Sequence, residues 1–100
     1  MMLLIPTQPV PSQNFQVVLA GQQMTFNVYQ TLYGLFLDAL LSGVPILTGQ
    51  ICEDRERMMQ DPALGFSGNL EWVDTMGTDS PVYTGLGTRW QLVYLEPADL

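Results

Sequence analysis

Residues 31–43 read TLYGLFLDALLSG, and whether they form a helix or a strand decides the fold. A helix is available: Thr31 suits an N-cap and Gly43 a C-cap. A strand explains more. Tyr33, Leu35, Leu37, Ala39 and Leu41 make an unbroken odd-numbered apolar face, and Gly34 weakens a helix more than a bend in a central strand. Apolar residues on both faces then imply a central strand, or one whose outer face lies in an interface.

The strand reading spreads in both directions. Phe15, Val17 and Leu19 alternate with more polar neighbours, AGQQ at 20–23 suits a tight turn, and Met24, Phe26 and Val28 share the next face. On the other side, Ser42-Gly43 turns into VPILTGQIC. The hydrophilic EDRER at 53–57 opens a connection with room for one helical turn before Pro62. Phe66, Leu70 and Trp72 then mark a strand, and Thr88, Trp90, Leu92 and Tyr94 the last one. These patterns predict an all-β chain, a single small antiparallel barrel or sandwich of about six strands at 14–100. Ahead of it, residues 1–13 with Pro6, Pro9 and Pro11 predict an extended proline-rich arm, a loose tail or a strap on a neighbour.

Composition narrows the function. One hundred residues make one core, 47% of them are hydrophobic, and only 13% are charged, about half the usual share. So thin an ionic coat predicts a subunit of an assembly. The net charge of −7, with three arginines, no lysine and no histidine, argues against nucleic-acid binding and against anionic membranes. MMLLIPTQPV lacks a basic start and its apolar run stops at Pro6, so no export signal is expected there, and no segment has the length of a membrane span. Cys52, the lone cysteine, sits in an apolar run and is expected buried and inert.

Without histidine, the zinc sets and the Ser-His-Asp and Cys-His arrangements are excluded. No catalytic residue, metal ligand or cofactor site is predicted. GLGTRW at 85–90 imitates a dinucleotide fingerprint, but Trp90 stands where the third glycine belongs and a strand follows in place of a helix. Asp74 and Asp79 fit no calcium loop, and a bidentate pairing of Arg89 with one of them is the better reading. Glu53, Glu71 and Asp74 are the carboxylates a small cell-wall glycosidase would need, although a β domain of this size offers little cleft. A small-ligand binding β-barrel is the third alternative. Trp72, Trp90 and Tyr94 read as core; Tyr29, Tyr33 and Tyr83 are available as interface anchors.

Two stretches carry a resemblance: IPTQPVPSQNF at 5–15 and GFSGNLEWVDTMGTDSPVYTGLGTRWQLVYL at 65–95. With GLFLDALLSGVPILTGQIC between them, most of the chain resembles the baseplate plug proteins of contractile-tailed bacteriophages. The departures are mild: DSPVY where relatives often have Asp-Pro-x-Tyr, and Met76 where many have Gln. The resemblance implies a non-enzymatic structural component of the tail baseplate in the virion, which helps close or organise the end of the tail tube. It implies hub, tube and wedge components as partners, several copies in a symmetric ring, and synthesis in the host cytoplasm. It supplies no catalytic residue. The motif positions that carry over are Pro6, Gln8, Pro9 and Phe15 in the arm, and Gly65, Phe66, Asp74, Thr75, Gly77, Tyr83, Thr84, Gly85, Gly87 and Arg89 beyond it. Of these, Pro6, Gln8, Pro9, Phe15, Tyr83, Thr84, Gly85 and Gly87 are expected to contact partners. Asp74, Thr75, Gly77 and Arg89, with Asp79, are expected to shape the 74–90 connection.

Overall fold

A computed structural model describes residues 2–59 and 66–97. Seven strands follow one another: β1 (Met2–Ile5), β2 (Ser12–Leu19), β3 (Gln22–Thr31), β4 (Gly34–Leu41), β5 (Val44–Ile51), β6 (Asn69–Asp74) and β7 (Trp90–Leu95). They form two antiparallel sheets, ordered β1-β7-β6 and β2-β3-β4-β5. The sandwich half of the fold expectation holds; the sheets do not close into a barrel.

Local chemistry explains the four-stranded sheet. Ala20-Gly21 and Ser42-Gly43 both take positive φ, the paired left-handed geometry of the two-residue hairpin turn whose twist matches the flanking strands. The Ala20-Gly21 turn sets β2 on β3 with Phe15 opposite Phe26 and Val17 opposite Met24. The two-residue Leu32-Tyr33 connection sets β3 on β4 with Phe26 opposite Ala39 and Val28 opposite Leu37, so the alternating apolar residues fall on one face. Met24, Phe26, Val28, Leu35, Leu37 and Ala39 are all buried there. The stretch 31–43 thus contains a central strand, β4, as its odd-numbered face predicted. Tyr33 is the exception: it sits with Leu32 in the two-residue β3–β4 connection and is 88% exposed.

The second sheet supplies the opposing layer. Ile5, Leu70, Trp72, Leu92 and Tyr94 join the residues above in one continuous core. Each fully buried side chain of this size contributes about 1.5–3 kcal/mol. Strand β1, beyond the six strands expected, pairs with β7 from Met2–Leu95 to Ile5–Leu92. The first residues of the predicted arm therefore hydrogen-bond to their own chain, and 6–11 lead from β1 to β2. The helical turn expected before Pro62 and the motif residue Gly65 lie outside the described residues.

The charged stretch after β5 covers the outer edge of β6. Arg55 and Met58 donate their backbone N–H groups to Trp72 O and Leu70 O at 2.7 and 3.0 Å. The buried Asn69 side chain accepts from Met59 N and donates to Met59 O, both at 2.9 Å. An edge that would otherwise present unpaired groups is closed by the strip 53–59.

Candidate functional site

The connection between β6 and β7 is where the carried-over motif residues converge. At its base, Asp74 is buried to 1% exposure and its carboxylate faces the Arg89 guanidinium. Arg89 Nε donates to Asp74 Oδ1 and Nη2 to Oδ2, both at 2.8 Å, a two-pronged ion pair of the kind that fixes orientation as well as charge. The same Nη2 reaches Asp79 Oδ2 at 2.9 Å. Backbone N–H groups of Met76 and Asp79 donate to the two Asp74 oxygens at 2.9 Å. The Arg89 hydrogen bonds, helped by those two N–H groups and opposed by burial, hold the Asp74 carboxyl far below the ordinary carboxylate range. Arg89 is held above its ordinary value by the same hydrogen bonds.

Around this pair the loop is laced to its own chain. Thr75 donates Oγ1–H and N–H to Arg89 O at 2.6 and 2.8 Å. Gly77 O accepts from Arg55 Nη1 at 3.2 Å, and Asp74 O accepts from Arg55 Nη2 at 3.2 Å. Asp54 completes the strip's hold by accepting from Asp74 N at 2.7 Å and pairing with Arg55. Trp90 Nε1 donates to Asp79 O at 3.0 Å, while the Arg89 guanidinium lies 4.4 Å from the centre of the Trp90 ring. Asp74 is fully engaged by these partners. Glu53 is exposed, and Glu71 is half-buried on β6.

Beyond Asp79 the loop meets the rest of the fold. Tyr83–Gly85 form a single 3-10 turn, and Tyr83 N donates to Gln30 Oε1 on β3 at 3.1 Å. Leu86 plugs into the core at 0% exposure. Gly85 lies under the Trp90 ring so closely that a Cβ would sit 2.4 Å from a ring carbon. Gly87 has φ +82°, and a Cβ there would come within 2.5 Å of the carbonyl oxygen of Thr7, itself buried. Only glycine admits that approach without strain. Pro6, Gln8, Pro9 and Thr84 are exposed. Gln8 exchanges two hydrogen bonds with the Gln13 side chain, 3.1 and 2.8 Å. Phe15 packs on Phe26 with ring centres 5.6 Å apart.

The loop set therefore gathers at one place, while the arm set divides between the exposed segment 6–9 and a half-buried ring on β2. Asp54, Arg55, Gln30 and Thr7 were not singled out by sequence. The only available signal for Asp54 and Arg55 was their position in the sole charge-rich stretch, and Gln30 and Thr7 carried none. Cys52 is buried, and burial pushes its thiol up to about 12 against a weaker opposing pull from the Trp72 indole N–H. That indole nitrogen has no oxygen or nitrogen partner among the described residues. No cavity opens among the described residues.

Compared with known proteins, the chain matches the family model described as "Cyanophage baseplate Pam3 plug gp18" over residues 2–97. No curated protein matches it.

Proposed function

Because the chain belongs to the cyanophage baseplate Pam3 plug gp18 family, we propose that it closes or organises the end of the tail tube, without chemistry of its own. Family membership makes it a structural protein of the virion tail baseplate, associated with other baseplate proteins. The finer reading is that it contacts hub, tube and wedge components as several copies in a symmetric ring, after synthesis in the host cytoplasm. The observation that carries this reading is the match along 2–97, which takes in both sheets and the 74–90 loop.

Two features support it. Leu4, Val18, Leu32, Tyr33, Val44 and Met76 are all more than 60% exposed, an apolar outlay that suits a surface covered by neighbours. The exposed segment Pro6, Gln8, Pro9 and the tip at Thr84, with Tyr83, Gly85 and Gly87 behind it, form the partner contact in this reading. The acidic side of the molecule faces the lumen, where it repels DNA and keeps the genome from adhering on exit.

The test is a phage with a stop codon early in this gene. Expected are tails whose distal end lacks density at the tube mouth and whose particles lose infectivity. Infectious particles with an unchanged tube mouth would refute the proposal.

A further inference from the structure

The charge of this protein is confined to one part of it. No charged side chain occurs before Asp38, and nine of the ten acids and all three arginines lie beyond residue 51. The four-stranded sheet, Ser12 to Ile51, carries Asp38 alone. Asp38 is already engaged, accepting from Gly49 N at 2.7 Å and from the Tyr29 hydroxyl at 3.2 Å. The sandwich thus has one sheet with a single charge, Asp38 on the interior strand β4, and one acidic side.

The outer strands differ in how they are guarded. The edge of β6 is closed by the strip 53–59. Strand β5 contains Pro45, is irregular against β4 near Ala39, and turns its Gly49 N–H to Asp38. Strand β1 has four residues. Strand β2 has none of these protections: its eight residues pair in unbroken register with β3, contain no proline or charge, and receive no backbone hydrogen bond from any other described strand. Natural sheets rarely leave a long, regular, uncharged edge open, because it templates strand addition.

We propose that β2 is the docking edge for a second copy of this chain, whose own β2 adds antiparallel to it and makes one eight-stranded sheet across two molecules. Electrostatics selects this occupant. Two chains of net charge −7 repel wherever their acidic sides meet. At the β2 edge the strands in contact are neutral, and β1, which leads into β2 through residues 6–11, is neutral too. The charged strip lies against β6, at the side where β5 leaves the other sheet. A cationic partner would gain more by meeting the acidic side. In an antiparallel two-fold pair, odd residues meet odd and even meet even. Phe15 and Val17 of both copies then extend the inner apolar layer, and Asn14 and Gln16 meet on the outer face.

The experiment uses the purified full chain in sedimentation velocity. Expected is a reversible species of twice the 11.2 kDa chain mass that tightens as salt rises from about 0.05 to about 0.5 M, since added ions screen the residual repulsion and no ion pair is lost. The double variant Gln16→Lys and Val18→Lys, both at exposed positions, weakens the association at least tenfold; Thr48→Lys on β5 leaves it unchanged. Hydrogen exchange on the unmodified chain, at high and low protein concentration, shows the outward amides of β2 slowed only when associated. A monomer throughout, an association that salt weakens, a double variant that folds and associates normally, or protection confined to other strands would each overturn the proposal.

Discussion

Gly87→Ala tests whether the segment after β1 is held against the β6–β7 loop. Two costs are separable. An alanine at φ +82° carries the left-handed backbone penalty, about 1–2 kcal/mol. Its Cβ also stands 2.5 Å from Thr7 O, so the Thr7 carbonyl must withdraw by about 1 Å to restore an ordinary contact. Thr7 is buried and cannot simply swing into water, so overpacking adds about 1–3 kcal/mol. Gly21→Ala is the internal reference. Its φ is +77°, nearly the same, and nothing lies within 4 Å of the added carbon, so it carries the backbone penalty alone. Urea and thermal unfolding followed by fluorescence of the buried Trp72 and Trp90 measure both variants. Each kcal/mol moves the melting temperature of a domain this size by about 4–8 °C, so Gly87→Ala should melt at least about 4 °C below Gly21→Ala. Equal losses in the two variants would refute the docking of residue 7 on the loop.

Two other substitutions probe the ties around β6. Asp74→Asn removes the charge beneath Arg89 and lowers stability at neutral pH. Because the folded-state carboxyl titrates below its ordinary value, its contribution is complete above the unfolded carboxylate range and is lost as pH falls through the folded value. The melting-temperature gap between the native chain and Asp74→Asn should therefore narrow from about pH 5 downward, and parallel curves would contradict the ion pair. Asn69→Ala strands Met59 N, Met59 O and Leu70 N, which its side chain now satisfies. A loss of about 1–3 kcal/mol is expected, with faster proteolysis within 53–59; a loss under about 0.5 kcal/mol would mean the strip is held by other contacts.

What the sequence disclosed follows from the range over which each interaction acts. Alternation and tight turns are local, and they located β2, β3 and β4 with their inward faces and β5 as the strand that follows, without a face, since it is irregular against β4. The pattern failed where a local signal is ambiguous. Tyr33 continues the odd-numbered face without a break, yet the two-residue β3–β4 loop takes it out of the sheet, and periodicity cannot mark where a strand stops. Strand β1 was read with the arm because five apolar residues before a proline have no alternation, and its partner β7 lies at the other end of the chain. The 74–90 loop was legible in kind: glycines, acids and one arginine spelled a long connection. The bidentate pairing of Arg89 with Asp74 was anticipated from the acids and the arginine of the loop and is present. What stayed invisible was the burial of Asp74 and the part played by Asp54 and Arg55, since nothing in their spacing shows that they join the same hydrogen-bonded cluster.

The layout of charge links these observations to assembly. The cluster around Asp74 concentrates ionic interactions where one loop must be held by its own chain, so those charges are spent internally. Arg89 is neutralised by Asp74 and Asp79, and Arg55 by Asp54. What remains outward on the four-stranded sheet, Asp38 apart, is uncharged: mostly polar along β2 and apolar across Tyr29, Phe36, Leu40 and Ile51 toward β5. Such a surface loses little by dehydration, because almost no ion must be stripped of water, and it gains from every backbone group it pairs. A part that must seat among neighbours therefore needs its ionic ties turned inward and its neutral strands turned outward.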